Sequence, residues 1–315
     1  MCSVGLYYGN ELLSYSFPGD HHFNKKRVES FWKSIKIQGL LDRSEIVVLP
    51  PVLATEEILE YFHTKEYIQY VKEMSELGKG SLDYGDTPAF KGVFEAACFV
   101  VGSVIDGLER VMSEKIVHCF IPVAGLHHSR RSKAAGFCVF NDIGVAISYI
   151  QKRYQLGRIL YVDIDAHHGD GVHYEFYDDP QVFIADIHEE LIYPGTGAKE
   201  ETGSDHATGT KLNLPLSAGS GDTKFKNAFS IIEKFARHSE PQLIIFQAGA
   251  DGLKGDPITH LQYTSEAHLY ATEQLHQIAH EYCEGKMIAL GGGGYNSNNT
   301  AAAWSSVLES LIGIS

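Results

Sequence analysis

The sequence predicts an α/β fold with a mainly parallel, multi-stranded sheet that carries helices on both faces, and two observations support this prediction. Short runs rich in β-branched residues alternate along the 315-residue chain with longer segments whose apolar residues recur at three-to-four spacing. Several short runs, such as Leu243 to Phe246, are apolar throughout, which is typical of parallel strands buried on both sides. Because no low-complexity linker or internal repeat divides the chain, we expect one domain over residues 1–315.

Seven strands are predicted, each from a short run rich in apolar and β-branched residues. They cover residues 3–8, 45–49, 116–121, 158–164, 182–187, 242–247 and 286–290. Seven amphipathic helices are predicted between and after these strands. They cover residues 27–40, 56–77, 93–112, 141–154, 223–237, 265–282 and 300–311. In the helix at 223–237, for example, Ile231, Ile232 and Phe235 have the spacing of one buried face.

The composition argues against several classes of protein. The formal net charge of −14 argues against non-specific nucleic-acid binding and permits cationic ligands. No apolar run approaches the ~20 residues of a membrane-spanning helix, and the N-terminus lacks the pattern of a secretory signal. The five cysteines are dispersed without CxxC spacing, which is typical of reduced thiols. We therefore expect a soluble cytoplasmic protein with neither a membrane nor a nucleic-acid partner.

Side chains suited to metal binding and catalysis follow four of the predicted strands. His127 and His128 come after the strand at 116–121, and the stretch DIDAHHGD at 163–170 spans the end of the strand at 158–164. Asp251 follows the strand at 242–247, and a run of four glycines with Tyr295 follows the last strand. Because the carboxyl ends of parallel strands open on one edge of a sheet, we expect these groups to converge there.

Within this set, Asp165, His167 and a third oxygen such as that of Asp251 would form a three-ligand divalent-metal site with an open position. That arrangement is expected of catalytic zinc. The mixed nitrogen and oxygen ligands also suit Fe²⁺, Co²⁺ or manganese. The sequence therefore predicts a metal site at this edge, with zinc as the first choice.

The histidine pair His127 and His128 then becomes a candidate for acid–base chemistry, with Asp163 and Asp170 as the carboxylates that orient the two rings. Each feature alone has an ordinary alternative, because adjacent histidines are often a hydrogen-bonded loop pair and an Asp before a Gly is most often a turn residue. Three aspartates and three histidines at one buried strand end are unfavourable without partners, however. Their joint occurrence favours a metal-dependent hydrolytic site.

Seven segments of the chain, in order, resemble those of the zinc-dependent histone deacetylase superfamily. This superfamily includes acetoin-utilisation proteins and acetylpolyamine amidohydrolases. The segments are HHFNKKR at 21–27, GDTP at 85–88, GLHHSRRSKAAGFCVFND at 125–142, DIDAHHGDGV at 163–172, YPGTG at 193–197, QAGADGLKGDP at 247–257 and GGGGYN at 291–296. The resemblance implies the three-layer arginase–deacetylase fold and hydrolysis of an acetyl-amide bond.

The resemblance also implies a role for individual residues. It implies that the zinc ligands are Asp165, His167 and Asp251. It implies that the catalytic groups are His127, His128, Asp163, Asp170 and Tyr295, with the Tyr295 hydroxyl donating to the substrate carbonyl oxygen. The residues implied to contact the substrate are Gly136, Phe137, Tyr193 and Gly293 along an acyl-lysine channel and Asp86 at its rim.

Several alternatives stay open at this point. The expected substrate is an acetylated lysine side chain of a protein or peptide, and acetylated polyamines or other small acylamines are the alternative. A non-catalytic acyl-lysine-binding protein is a more remote one. A two-manganese arginase-like enzyme is disfavoured, because Gly249 stands where such enzymes need a further aspartate.

One residue and one short segment depart from the family pattern. Asp186 stands where relatives often have a serine of a potassium site, so K⁺ is expected only as a possible structural ion. The basic run at 130–133 is expected to be a solvated loop.

Overall fold

The protein, described over residues 3–313 by a computed structural model, has the predicted α/β architecture. Eight strands form one sheet in the order β2-β1-β3-β8-β7-β4-β5-β6, and every neighbouring pair is parallel. Strands β1 to β8 are, in chain order, Val4–Tyr7, Ile46–Leu49, His118–Ile121, Ile159–Asp163, Val182–Glu189, Lys211–Leu216, Leu243–Gln247 and Met287–Leu290. The sheet is therefore wholly parallel in the described residues, not only mainly so.

Ten α-helices and two short 3₁₀ helices complete the described part of the chain. Helices α1 to α10 are, in chain order, Asn10–Leu13, Lys26–Ile37, Glu56–Leu59, Lys65–Leu77, Val93–Met112, Asp142–Tyr154, Asp170–His173, Asp222–Ser239, Ser265–Tyr282 and Ser297–Leu311. The 3₁₀ helices are Leu40–Asp42 and Asp205–Ala207. Most bounds agree with the predicted ones to within a few residues.

The element predictions were wrong or incomplete in three places. The helix predicted at 56–77 is two helices, because Thr64 caps the second by accepting from the Tyr67 backbone N–H at 3.3 Å. Strand β6 at the sheet edge was not predicted, nor were the four-residue helices α1 and α7. Finally, β4 ends at Asp163, one residue before the predicted end, and Asp165 lies in the loop after the strand.

The central strands are buried along their whole length, as expected of a sheet covered on both faces. In one group of helices, α10 packs against α2 and α9, and α9 packs against α8. In a second group, α5 packs against α4, α6 and strand β3. Trp304 of α10 is fully buried, and its indole N–H donates to the backbone oxygens of Ala248 and Gly291 beside the ends of β7 and β8.

Four cysteines are buried free thiols, namely Cys98, Cys119, Cys138 and Cys283, while Cys2 lies outside the described residues. None of the helices between residues 3 and 313 has the length and apolar character required to cross a bilayer.

Candidate active site

The candidate site lies at the carboxyl edge of four strands that are consecutive in the sheet, β3, β8, β7 and β4. The loop after β3 carries His127 and His128, and the loop after β4 carries Asp165 and His167. Asp251 follows β7, and the glycine run follows β8. The convergence predicted from the sequence is therefore what this parallel topology produces.

Asp165, His167 and Asp251 form a buried cluster whose three potential ligand atoms lie within 4.8 Å of one another. The His167 Nδ1 atom is 2.8 Å from Asp251 Oδ2 and 3.2 Å from Asp165 Oδ1. Two carboxylates and one imidazole are a donor set that suits zinc, iron or cobalt.

Hydrogen bonds hold this donor set in an arrangement that fits a divalent ion. Asp165 Oδ2 accepts from the Gly293 backbone N–H at 2.7 Å and from the Gln247 side-chain amide at 2.8 Å. Asp251 Oδ1 accepts from the Ala166 backbone N–H at 2.8 Å. One oxygen of each carboxylate is thus held by N–H donors, and the other oxygen is directed at the His167 ring. This is the second layer of hydrogen bonds that orients metal ligands.

Two glycines allow the backbone to approach this cluster. A Cβ atom at Gly293 would lie 2.6 Å from Asp251 Oδ2 and 2.8 Å from Asp165 Oδ2. A Cβ atom at Gly249 would lie 2.3 Å from Asp165 Oδ2, so the position has no room for the extra aspartate that a two-manganese site needs.

The histidine pair beside the cluster forms a continuous chain with its two aspartates. His127 Nδ1 is 2.8 Å from Asp163 Oδ2, and His128 Nδ1 is 2.7 Å from Asp170 Oδ1. The two Nε2 atoms are 3.0 Å apart, so the rings share one proton between them. All four side chains are buried.

Electrostatics distinguish the two histidines. Burial opposes a charge on His127, but the carboxylates of Asp163 and Asp165 outweigh it and raise the pKa of His127 to about 10. Burial and the adjacent His127 cation together lower the pKa of His128 to about 4, against the pull of Asp170. The pair therefore carries its extra proton on His127, and His128 is neutral, with its Nε2 lone pair facing the His127 Nε2–H.

The basic run at 130–133 is only partly the solvated loop that the sequence suggested: Ser132 and Lys133 are exposed, but the two arginines form ion pairs. Arg130 donates to Asp170 Oδ2 at 3.0 Å, on the carboxylate that also contacts His128, and its guanidinium stacks over Tyr174. The neighbouring Arg131 pairs with Glu175 at 2.9 Å. Arg130 reaches the hydrogen-bonded chain of Asp170 and His128 because the loop folds back through a hydrogen bond from the Arg130 N–H to the backbone oxygen of Lys133.

A channel leads from the surface to the cluster. Its lining consists of Asp86, His128, Gly136, Phe137, His167, Ile192, Tyr193, Ile258 and Tyr295, so it includes most of the predicted substrate-contact residues. The Phe137 and Tyr295 rings meet edge to face with centroids 5.7 Å apart. Asp86 is exposed at the rim, whereas Gly293 lies deeper, against the carboxylates of Asp165 and Asp251. Ile192 and Ile258 were not predicted, because a single apolar residue in a loop carries no signal.

Phe137 has a strained backbone at the channel wall. Its φ is 67°, which is unusual for a bulky residue, and strain of this kind persists only where the surroundings enforce it. Here the Phe137 N–H donates to Thr87 Oγ1 at 3.1 Å, and the Phe137 oxygen accepts from Tyr15 at 2.7 Å. A Cβ atom at Gly136 would lie 2.5 Å from the His128 ring, so glycine is needed there as well.

Tyr295 is positioned by its own backbone and by a buried arginine. Its N–H donates to Asp256 Oδ2 at 2.8 Å. The Arg27 guanidinium, 5.4 Å from the Tyr295 ring, donates to the backbone oxygens of Gly292 and Gly294. Burial and the carboxylates of Asp251 and Asp165 raise the pKa of Tyr295, so its hydroxyl stays protonated and able to donate.

Three supporting residues were quoted in the sequence segments without a role. Asp142 accepts from the N–H groups of Gly125 and Leu126 at 2.8 and 2.7 Å and so fixes the loop before the histidine pair. Arg27 holds the glycine run, and Gln247 holds Asp165. A polar residue at the end of a predicted buried strand is the signal that could have found Gln247, whereas Asp142, in the first turn of α6, reads as an ordinary helix-start residue.

Asp186, the position that departs from the family pattern, is buried next to Asp163, its register partner on β4. Its oxygens accept from the Gly169 N–H at 2.9 Å and contact His188 Nδ1 at 2.7 Å. Burial opposes ionisation, but His168 and His188 outweigh it and hold the pKa of Asp186 below its usual range. The carboxylate is therefore already charged and partnered.

Comparison with known proteins agrees with this geometry. The family model of the histone deacetylase domain matches residues 21–311. The acetoin utilization protein AcuC of Bacillus subtilis (strain 168) is 40% identical over 98% of this chain and 81% of its own length. That of Staphylococcus xylosus is 34% identical over 99% of this chain and 83% of its own length.

Among solved structures, the HDA15 HD domain superposes with a TM-score of 0.90 at 26% identity. The match covers 99% of this chain and 88% of that one. A family match over most of the sequence and a fold match over nearly all of it point the same way. The chain belongs to the histone deacetylase domain family.

Proposed function

We propose that the protein is a zinc-dependent deacetylase that removes acetyl groups from acetyl-lysine in proteins or peptides. The observation that carries this proposal is the convergence of the Asp165–His167–Asp251 cluster, the His127–His128 pair and Tyr295 at the end of one channel. A ligand cluster, a general base and an oxyanion donor within one pocket are the groups that metal-assisted amide hydrolysis needs.

In this proposal Asp165, His167 and Asp251 hold the zinc ion. The bound ion would supply Lewis acidity to the substrate carbonyl and to a water molecule. His128, neutral because its pKa is low, accepts a proton from the attacking water. His127, held as a cation by Asp163, stabilises the negative charge that develops beside it.

The remaining steps use the channel residues. As the hydroxide adds to the carbonyl carbon, the Tyr295 hydroxyl donates a hydrogen bond to the developing oxyanion. The tetrahedral intermediate then collapses, the C–N bond breaks, and a histidine of the pair protonates the departing amine. Acetate and a free amine are the products.

A polypeptide substrate is favoured over a small polyamine by the channel mouth. Asp86 on the rim is exposed and can accept from a substrate backbone N–H. Tyr84, two residues before Asp86, and Leu191, next in the chain to the lining residue Ile192, are almost fully exposed. Exposed apolar side chains around a binding site suit a peptide better than a hydrophilic polycation.

The rest of the proposal concerns location and ions. We propose one catalytic domain over residues 1–315 in the cytoplasm, with neither a membrane nor a nucleic-acid partner; the net charge of −14 supports the last point. A potassium ion near Asp186 stays a prediction. The hydrogen-bonding partners on both oxygens of Asp186 argue against this carboxylate as a ligand of that ion.

The test compares two substrates on the same zinc-loaded protein: an acetyl-lysine peptide and acetylspermidine. We expect acetate release from the peptide with the higher kcat/KM. Turnover of acetylspermidine alone would reassign the substrate to the polyamine class and keep the chemistry. Binding of the peptide without turnover of either substrate would contradict the proposal and support a non-catalytic acyl-lysine-binding protein.

A further inference from the structure

Three histidines far from the candidate active site come together at the opposite edge of the sheet. His118 is the first residue of β3, so it lies at the amino edge, whereas the active site lies beyond the carboxyl ends. His276 and His280 lie one turn apart on α9. One ring nitrogen from each of the three lies within 4.8 Å of the others.

The rings face one another as a compact group. The ring centroids are 4.8 Å apart for His118 and His276, 5.4 Å for His118 and His280, and 4.6 Å for His276 and His280. Gly285 leaves space for the cluster, since a Cβ atom there would lie 2.8 Å from the His280 ring. The backbone of the α9–β8 turn is thus fitted closely around His280.

In the described part of the chain, the packing of the three rings leaves the ring nitrogens of His118 without hydrogen bonds. Its side chain is completely buried, and within residues 3–313 neither of its ring nitrogens has a hydrogen-bond partner. Nδ1 of His276 is likewise buried without a partner in that range. Burying a polar group without a hydrogen-bond partner is unfavourable, so a packing role alone would be better served by Phe or Leu.

We propose that His118, His276 and His280 form a second metal site that takes a divalent transition metal of the zinc class. Three imidazoles suit Zn²⁺, Co²⁺ or Ni²⁺, and the exposed His280 gives the ion a route from solvent.

The second site would join α9 to β3, since His118 comes from the strand and the other two ligands come from the helix. An ion bound only by the folded arrangement stabilises the fold by mass action. The inference does not depend on deacetylase activity, because the two sites share no residue.

The test is the number of zinc ions that the untagged, chelator-treated protein binds, measured by equilibrium dialysis and elemental analysis. We expect two ions per chain for the wild type and one for the double variant His276→Gln/His280→Gln. The control is His238→Gln, which alters an exposed histidine in the last turn of another helix, α8, and should keep two ions.

A second measurement isolates the new site. In a His167→Ala background, zinc should raise the thermal midpoint, and the added double substitution should abolish that rise. Binding of one ion by the wild type, or an unchanged ion count in the double variant, would overturn the proposal. Because His276 and His280 are at the surface side of the cluster, these variants test the site without altering the buried His118.

Discussion

At the residue scale, the chain Arg130–Asp170–His128 sets the state of the proposed general base. Asp170 contacts His128 Nδ1 at 2.7 Å and Arg130 at 3.0 Å, so its carboxylate is shared between the ring of the proposed base and a cation. Burial opposes its ionisation, but the hydrogen bond from His128 and the nearby cations Arg130 and His127 lower the pKa of Asp170 to about 2. The carboxylate therefore stays ionised at all working pH values.

Replacing that charge should weaken catalysis while leaving the metal in place. We expect Asp170→Asn to lower kcat roughly 10- to 100-fold, as is usual when a carboxylate that orients a ligand or base is removed. The measurement is kcat on an acetyl-lysine peptide at equal zinc content.

A neighbouring ion pair supplies the control for this experiment. Arg131 and Glu175 pair at 2.9 Å, on the same two segments but outside the Arg130–Asp170–His128 chain. Glu175→Gln should change kcat by less than about twofold, since partly exposed pairs contribute little. Equal losses in Asp170→Asn and Glu175→Gln would show a structural effect and contradict the assigned role.

Single residues also show where sequence reasoning succeeds. The positions of Asp165, His167 and Asp251 could be predicted, because each follows a strand of a parallel sheet and such ends share one edge. Arg130 could not, because its pairing depends on how a loop folds back. The His118 cluster was also missed, because no strand end or motif connects a buried strand residue to a distant helix.

At the element scale, helix α5 packs unusually closely on the segment after β2. A Cβ atom at Gly102 would lie 2.2 Å from the Val52 backbone oxygen and 2.4 Å from the Ala54 nitrogen. The Ala54 N–H itself donates to the Cys98 oxygen of α5 at 3.0 Å. The atoms nearest to such a Cβ atom belong to the backbone, so a change of side-chain rotamer cannot relieve the close contact.

Gly102→Ala should therefore destabilise the protein although alanine favours helices. The expected loss in the free energy of unfolding is about 1–3 kcal/mol, the usual range for overpacking a tight site. The control Gly157→Ala places a Cβ atom 3.7 Å from the nearest side chain, an ordinary contact, and should change stability by less than about 0.5 kcal/mol. Denaturant titration of both variants measures the difference, and a stabilised Gly102→Ala variant would refute the packing argument.

Edge strand β6 contains a buried lysine with a depressed pKa. The Lys211 amino group donates to the oxygens of Val182 at 2.7 Å and Asp179 at 3.1 Å and to Thr210 Oγ1 at 2.7 Å. Burial disfavours its charge and lowers its pKa from 10.5 to about 8. Between these two values the unfolded chain holds a proton that the folded chain has lost.

Stability linked to Lys211 should therefore rise with pH from about 8 to 10.5. The slope is at most about 1.4 kcal/mol per pH unit for one proton. Lys211→Met removes the titrating group, so the free energy of unfolding of the wild type minus that of the variant should increase across this window. A difference that stays flat with pH would contradict the buried, depressed lysine.

The errors in predicting elements have physical causes in these same segments. Strand β6 reads KLNLPL, with a lysine, an asparagine and a proline that argue against a central strand, yet an edge strand tolerates them. The helix predicted at 56–77 kept its apolar spacing through the break, and only the capping Thr64 marked the second start. Apolar periodicity thus predicts buried helices and strands well, but it predicts edge strands and helix caps poorly.

At the scale of the whole molecule, the two edges of the parallel sheet carry two different candidate metal sites. Its carboxyl edge gathers the aspartates, histidines and tyrosine of the proposed deacetylase site, and its amino edge holds the histidine cluster. Loss of either metal should leave the other site able to bind, because the two share no ligand. The fold class was predictable because strand–helix alternation specifies it, whereas the channel depends on loops whose course the sequence pattern does not encode.

The measurement that tests the central claim most directly is acetate release from an acetyl-lysine peptide by zinc-loaded wild type and Tyr295→Phe at equal zinc content. Phenylalanine keeps the ring against Phe137 and removes only the hydroxyl that donates to the oxyanion. We predict that kcat falls on the order of 100-fold or more, with peptide affinity nearly unchanged. Near-normal turnover in Tyr295→Phe, or no turnover by the wild type, would contradict the account.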